Sequence, residues 1–102
     1  MTYSFNWDSV ALESYIEETE FILLKWNYKE VEKFKILVEQ NLERLSINPE
    51  IGVFDKRFKV YTLVVSKQTT LYYSFSKEKR VIALHIFWNN LKNPEDLNKL
   101  LY

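Results

Sequence analysis

The spacing of apolar residues divides the chain into a helical first half and a stranded second half, preceded by one short strand. Residues 2–7 alternate apolar and polar side chains, as a half-buried strand does. Apolar residues then recur every three or four positions, which predicts two amphipathic helices. The first stripe consists of Leu12, Tyr15, Ile16, Thr19, Leu23 and Trp26, and the second of Val31, Phe34, Val38, Leu42 and Leu45. Asp8 or Ser9 can cap the first helix, and the short interruption at Asn27 and Tyr28 predicts an antiparallel hairpin.

The second half of the chain predicts strands joined by short polar turns. The segment SINPEIG ends the second helix. Three strands are expected at residues 57–65, 71–75 and 80–88, as an antiparallel meander. A short terminal helix follows, with Asn93 as its cap and Pro94 at its first position. The order β-α-α-β-β-β-α predicts one α+β domain over residues 1–102, with the helical hairpin on one face of an antiparallel sheet and the other face open and concave.

Alternation within the three strands assigns each side chain to the covered or the open sheet face. The side chains expected under the helices are Phe58, Val60, Val64, Leu71, Tyr73, Phe75, Ile82, Leu84, Ile86 and Trp88. The open face is expected to carry Arg57, Lys59, Tyr61, Tyr72, Ser74, Ala83, His85 and Phe87. Basic side chains among exposed aromatic rings are typical of a surface that contacts phosphates and stacked bases. A register error of one residue would exchange the two faces.

The zero net charge conceals an asymmetry between the two halves. Residues 1–52 carry 5 Lys/Arg and 10 Asp/Glu, whereas residues 53–102 carry 9 Lys/Arg and 4 Asp/Glu. The basic half suits a nucleic acid or an acidic protein segment, although two ordinary solvated surfaces would give the same counts. The absence of Cys excludes disulfides, thiolate metal sites and a cysteine nucleophile, and a reducing cytoplasm is expected. No signal peptide or membrane-spanning run is evident.

Few residues offer catalytic chemistry. His85, the single histidine, can act as a general acid or base, or can serve as a structural hydrogen-bonding residue. Lys59 and Lys92 can stabilise the charge of a phosphorane-like transition state, or can be ordinary surface lysines. One His and one Gly argue against a metal site and a glycine-rich phosphate loop. No Ser-His-Asp arrangement is evident, and no cofactor is expected.

Two segments resemble the RelE/ParE superfamily of toxins from type II toxin–antitoxin modules, once described as plasmid stabilisation proteins. In SKQTTLYYSF a Lys precedes the turn into a strand bearing Leu-Tyr-Tyr, which places Lys67, Leu71, Tyr72 and Tyr73 on the family pattern. In FWNNLKNPEDL the matching positions are Trp88, Asn89, Asn90, Asn93 and Pro94. The family usually has Arg at the position of Leu91. The element order also agrees along nearly the whole chain.

The resemblance implies an intracellular, growth-inhibiting toxin that a cognate antitoxin neutralises, with an acidic or amphipathic antitoxin segment on the basic half. RelE-like members cut messenger RNA on the ribosome, and ParE-like members poison DNA gyrase without catalysis. A toxin fold that has lost toxicity and survives as a binding module is a third reading. Because Leu91 cannot replace the rigid guanidinium fork of Arg, RNA cleavage is the reading that this departure weakens.

The resemblance also implies that Asn89, Asn90 and Lys92 belong to the site, because the end of the last strand borders the concave active surface in the family. The residues of the open face complete the set of candidates. The expected catalytic candidates are Lys59, His85 and Lys92. The expected substrate-binding residues are Arg57, Tyr61, Lys67, Tyr72, Asn89 and Asn90. Asn90 and Lys92 can equally serve to cap and turn the chain. An uncovered aromatic sheet face is an exposed apolar patch, so self-association is expected when the antitoxin is absent.

Overall fold

The structure, a computed structural model, describes residues 2–92 and 94–101 of the chain. In this part of the chain a helical hairpin lies against a five-stranded sheet. The helices are α1 (Ser9–Lys25), α2 (Tyr28–Ile47) and α3 (Pro94–Leu101), with one 3₁₀ turn at Pro49–Ile51. The strands are β1 (Ser4–Trp7), β2 (Val53–Asp55), β3 (Val60–Val64), β4 (Thr69–Ser76) and β5 (Val81–Asn89). The predicted α+β order is confirmed, with β2 as an additional strand. The predicted cap, Asn93, lies outside the described residues.

The two long helices begin differently. The Asn27 side chain accepts a hydrogen bond from the Glu30 backbone N–H (3.0 Å) and so caps α2. Asp8 holds the corresponding position before α1, but its side chain makes no capping hydrogen bond. The carboxylate of Asp8 is therefore available to a partner elsewhere in the fold.

The buried face of α1 differs from the predicted stripe. Leu12, Ile16 and Leu23 are about half exposed, and the buried residues are Ala11, Ser14 and Glu18. The polar residues are tolerated inside because each is hydrogen-bonded. The Ser14 hydroxyl accepts from the Phe87 backbone N–H (2.9 Å), and the Glu18 carboxylate accepts from the Thr69 hydroxyl (2.7 Å). In α2 the predicted stripe is confirmed, with Val31, Phe34, Val38 and Leu45 buried and Leu42 packed against the core.

The strand order is β1-β5-β4-β3-β2, in which β1 runs parallel to β5 and the other neighbours are antiparallel. The strand predicted to begin at residue 57 begins at Val60, because a tight turn precedes it. The Asp55 carboxylate accepts hydrogen bonds from the backbone N–H groups of Arg57 (2.8 Å) and Phe58 (3.1 Å). Lys59 then adopts φ 58°, in the left-handed region. Arg57 and Lys59 are thus turn residues rather than strand residues.

The sheet faces are set by a bulge in β5. Tyr73 lies opposite Leu84 and Tyr72 opposite Ile86, which leaves His85 without a partner on β4. After this extra residue, each side chain of β5 lies on the opposite sheet face from the one that unbroken alternation would give. Ile82 and Leu84 face the hairpin as predicted. The predictions for Ile86, Phe87 and Trp88 are wrong, because Phe87 lies in the main core and Ile86 and Trp88 lie on the other side.

The predicted faces of β3 are also reversed. Tyr61 stacks on Tyr73 with ring centroids 5.7 Å apart, on the side of the hairpin. Val60 packs instead with the cluster on the opposite side, and Val64 is exposed. Phe58 and Val60 lie together on the side opposite the hairpin, so the alternation continues through the turn and the prediction for Phe58 is wrong as well. Both sets of side chains in this segment contain apolar residues, and packing within the fold decides which set faces the hairpin.

We call the sheet face opposite the hairpin the outer face. Its apolar residues are Phe58, Tyr72, Ile86 and Trp88, and Leu97 of α3 packs against them. Tyr72 lies on this face as predicted, because Leu71 and Tyr73 on either side of it belong to the main core. The terminal helix thus covers part of the outer face, and Tyr72 is largely buried.

Tyr73 is expected to make stability depend on alkaline pH. Burial raises the pKa of its hydroxyl to about 12, above the value of about 10 for an unfolded tyrosine. The unfolded state therefore loses this proton first, so the stabilisation is complete below pH 10 and is lost as the pH rises from 10 towards 12. The loss should reach about 2 kcal/mol by pH 11.5. Urea unfolding at pH 9 and 11.5 should show a smaller alkaline loss for Tyr73→Phe than for the wild type, and equal losses would contradict the assignment.

Candidate functional site

Three polar side chains form one hydrogen-bonded chain on the outer face. Nδ1 of His85 lies 2.7 Å from Oδ2 of Asp8, and Nε2 lies 2.7 Å from Oγ of Ser74. The side chain of His85 is 24% exposed and that of Asp8 is 43% exposed, so solvent reaches the site. We call this set the Asp8–His85–Ser74 chain.

The sheet topology brings the three residues together. The parallel pairing of β1 with β5 places Trp7 opposite Leu84, so the residues that follow them, Asp8 and His85, are neighbours. The Asp8 backbone N–H donates to the Leu84 carbonyl (3.0 Å) and fixes this approach. Ser74 comes from the other neighbour of β5, one position after Tyr73. The bulge turns His85 towards both.

The Asp8 carboxylate determines which imidazole nitrogen carries the proton. An ionised carboxylate only accepts hydrogen bonds, so Nδ1 of His85 donates to it. In the neutral imidazole Nε2 then has a free electron pair, which accepts the Ser74 hydroxyl proton. A histidine oriented in this way by a carboxylate is suited to general acid–base chemistry at Nε2.

Basic and aromatic groups lie beside this chain on the outer face. The Arg57 guanidinium lies over the Phe58 ring, 4.1 Å from its centroid, and Phe58 meets Tyr72 edge to face. Burial raises the pKa of the Tyr72 hydroxyl, Asp55 raises it further, and the positive charge of Arg57 partly offsets both. Lys59 is exposed in the same turn as Arg57. Arg57, Lys59, Tyr72 and His85 are thus the predicted site residues that border one surface.

Two of the remaining predicted site residues, Tyr61 and Lys67, lie elsewhere. Tyr61 faces the hairpin, as described above. Lys67 lines a cavity of about 320 Å³ between the hairpin tip and the β3–β4 turn, together with Trp26 and Phe34. Neither residue borders the outer face, so their predicted contact with a substrate has no support in the geometry.

The amides after β5 shape the chain. The buried Asn89 side chain accepts a hydrogen bond from the Leu91 backbone N–H (2.8 Å). The Asn90 side chain accepts one from the Thr70 hydroxyl (3.1 Å). Nζ of Lys92 lies 3.5 Å from a Glu17 carboxylate oxygen and 5.8 Å from the Trp88 ring centroid. These contacts favour the turn-forming alternative for Asn90, and they explain why a Trp, two amides and a Lys follow one another here.

Leu91, which stands where the RelE/ParE pattern usually has Arg, lies beside two carboxylates. It lines a cavity of about 420 Å³ with Glu17, Glu18, Asn89 and Phe21. We expect Leu91→Arg to leave any RNA cleavage unchanged, because the new guanidinium would pair with Glu17 or Glu18 rather than with a phosphate. Thermal unfolding should show a gain of at most about 1 kcal/mol for this exposed pairing. A rise in cleavage of ribosome-bound transcripts would show that Arg at this position reaches the RNA.

Sequence reasoning did not identify Asp8 as a site residue, and it placed Ser74 on the open face without a role. No Ser-His-Asp arrangement is evident in the sequence, but the fold brings Asp8, His85 and Ser74 together. Asp8 reads as a helix cap because it directly precedes a helix, and no local signal reveals that it faces a strand residue 77 positions away. The alternation in β4 and β5 did place Ser74 and His85 on one face.

In residues 2–92 and 94–101, no group of three His, Cys, Asp or Glu side chains is placed to hold a metal ion. None of the helices in this part of the chain combines the length and apolarity needed to cross a membrane.

Comparison with known proteins gives a match in structure and none in sequence. No family model and no curated protein matches the chain. The solved structure of the E. coli toxin RelE in the free state, a variant with two Arg-to-Ala substitutions, superposes with a TM-score of 0.63 and 17% sequence identity. The superposition covers 99% of this chain and 95% of that chain. At this identity the likeness concerns the fold, and the chain has the fold of the RelE toxin.

Proposed function

We propose that the protein is the toxin of a type II toxin–antitoxin module, acting in the cytoplasm and neutralised by a small antitoxin encoded beside it. The single observation that carries this proposal is the full-length agreement with the RelE fold. The segment SKQTTLYYSF, which resembles the superfamily, forms the β3–β4 turn and most of β4. An acidic or amphipathic antitoxin segment is complementary to the basic second half of the chain.

The chemistry that the outer face supports best is ribosome-dependent RNA cleavage. Nε2 of His85 takes the proton of a ribose 2′-hydroxyl, which replaces Ser74 as its hydrogen-bond partner. The 2′-oxygen bonds to the adjacent phosphorus, the bond to the 5′-oxygen breaks, and that oxygen takes up a proton from water, which reaches the half-exposed site. Asp8 positions the imidazole. Arg57 and Lys59, in the turn beside Tyr72, supply positive charge for the phosphate. Lys92 is the weaker candidate, because its ammonium group lies against Glu17.

Binding to DNA gyrase without catalysis is the second candidate function. Leu91 favours it, because the residue lacks a phosphate-binding group and lies against Glu17 and Glu18 on the side of α1. A toxin fold retained as a non-toxic binding module would share this feature. RNA cleavage, gyrase binding and a non-toxic binding role differ in whether growth, transcripts and DNA are affected.

The first test is induced expression with and without the neighbouring open reading frame. We expect growth arrest from the toxin alone, cleavage of translated transcripts, and rescue by the neighbouring product, which should co-purify with the toxin. Growth arrest with gyrase-linked DNA breaks and intact transcripts would favour the second candidate. If the chain does not arrest growth and does not co-purify with the neighbouring product, the toxin–antitoxin proposal is overturned.

We also propose that the protein self-associates when no antitoxin is present, and that the surface responsible is on α1. Leu12, Ile16 and Leu23 form a half-exposed apolar stripe there, whereas α3 covers part of the outer face. Sedimentation of the purified chain with Leu12 and Ile16 replaced by Gln should show a smaller species than the wild type. An unchanged sedimentation coefficient would place the contact elsewhere.

A further inference from the structure

We propose that the Asp8–His85–Ser74 chain is a serine-type nucleophilic centre, in which Ser74 attacks small carboxylic esters and other activated acyl donors. This activity is separate from the proposed toxin function, and it requires neither a ribosome nor an antitoxin. It rests on the geometry of three side chains.

The three side chains meet the geometric requirements of an activated hydroxyl. A nucleophilic serine needs a base within about 2.6–3.2 Å, and the base needs a third group that holds its orientation. Here Ser74 Oγ lies 2.7 Å from Nε2 of His85, and Asp8 lies 2.7 Å from Nδ1. Each residue comes from a different element, the connection before α1, β4 and β5, so the sheet holds the arrangement rather than one flexible loop.

Three other serines have their hydroxyls engaged with the backbone. Ser14 is buried and bonded to the Ala11 carbonyl and the Phe87 N–H. Ser66 accepts from the N–H groups of Gln68 and Thr69, and Ser76 accepts from that of Lys79. Ser74 differs from these three because its hydroxyl meets an imidazole nitrogen that can take its proton.

The centre is open to a small acyl donor. Ser74 and His85 are half-buried, and Asp8 is nearly half exposed at the edge of the outer face. Ala83, directly opposite Ser74 on β5, contributes only a methyl group beside the hydroxyl. The neighbouring Tyr72 and Ile86 are apolar and suit an uncharged acyl group.

The reaction proceeds in two balanced steps. Ser74 Oγ bonds to the carbonyl carbon while its proton passes to Nε2 of His85. The tetrahedral adduct collapses, the bond to the leaving oxygen breaks, and the imidazolium returns the proton to that oxygen, which leaves as an alcohol. Water then attacks the acyl-Ser74 ester in the same way, which releases a carboxylic acid and restores the hydroxyl.

The test uses the full chain with p-nitrophenyl acetate and, separately, with a fluorophosphonate that traps nucleophilic serines. Intact-mass spectrometry and peptide mapping follow the adduct in the wild type, Ser74→Ala, His85→Gln and Asp8→Asn. Ser76→Ala is the matched control, because it removes a hydroxyl from the same strand and face two residues further on. Thermal unfolding of each variant shows that it is folded.

We expect one adduct, located on Ser74, in the wild type and in Ser76→Ala, and none in Ser74→Ala. His85→Gln should form the adduct at least about 100-fold more slowly, because the base is lost. Asp8→Asn should be at least about tenfold slower, because its amide can hold the wrong imidazole tautomer. The proposal is overturned if the wild type reacts no faster than urea-denatured protein, if the adduct lies on other residues, or if His85→Gln reacts at the wild-type rate. Failure of the toxin experiments would leave this result unaffected.

Discussion

Replacing His85 with Gln is expected to slow the cleavage of ribosome-bound transcripts by about 10²- to 10⁴-fold, the usual contribution of a general base. Gln retains hydrogen-bonding groups near Asp8 and Ser74 but cannot take a proton, so the loss reports the base itself. Cleavage in a purified translation system measures the effect. If the His85→Gln variant cleaved at the rate of the wild type, another group would be the base.

Two matched lysine variants test the surface around His85. Lys59→Gln and Lys67→Gln each remove one exposed positive charge, but Lys59 lies in the turn that borders the outer face and Lys67 lies near the hairpin tip. We expect Lys59→Gln to weaken cleavage more than Lys67→Gln does, because charge effects fall off with distance in salt solution. The reverse order would support the predicted role of Lys67 in substrate binding and would indicate that the RNA binds away from His85.

Replacing Gly52 with Ala is expected to lower the free energy of unfolding by about 3 kcal/mol, a large fraction of the stability of a small domain. A Cβ on Gly52 would lie 2.5 Å from the Tyr73 hydroxyl oxygen and 2.6 Å from the Thr62 carbonyl oxygen. The backbone of Gly52 has φ −77°, so the cost comes from lack of space and not from conformational strain. Thermal unfolding should show a decrease in Tm of about 10–20 °C.

A double-mutant cycle with Tyr73→Phe identifies which contact causes this loss. The Tyr73 hydroxyl donates to the Pro49 carbonyl (2.6 Å) and accepts from the Gly52 N–H (3.1 Å), so it holds the 3₁₀ turn against β4. Removing the hydroxyl relieves one of the two close contacts and leaves the contact with Thr62. The decreases in the free energy of unfolding of the two single variants should therefore sum to more than the decrease in the double variant. Full additivity would show that the new methyl group does not meet the hydroxyl.

Residues whose partners are near in sequence were predicted correctly. The predicted break at Asn27 and Tyr28 does separate the two helices, and the structure adds that Asn27 caps α2 through Glu30, three residues away, and that Tyr28 already belongs to α2. The alternation in β4 also gives the correct faces, because this central strand has a dense apolar face and no bulge within itself. Local propensity and periodicity act over a few residues, and such features can be derived from one sequence.

The buried face of α1 was not predictable in the same way. Ser14 and Glu18 are polar and read as solvent-facing, yet both are buried. Each is satisfied by a hydrogen bond to a residue 73 or 51 positions away, Phe87 or Thr69. A helix of this composition has two possible apolar sides, and only packing against the sheet selects one.

The sequence by itself determined the α+β order, the resemblance to the RelE/ParE superfamily, and the presence of Tyr72 and His85 on one sheet face. The tertiary structure alone decided that Asp8 and Ser74 join His85, that Tyr61 and Phe87 turn to the hairpin, and that Leu91 lines a cavity with Glu17 and Glu18. The physical reason is that side-chain alternation has a period of two, so a strand such as β3 can turn either set of side chains to the hairpin, and one extra residue in a bulge, as in β5, reverses every later position. Such an insertion is defined by pairing between strands, and the spacing within a single strand does not contain it.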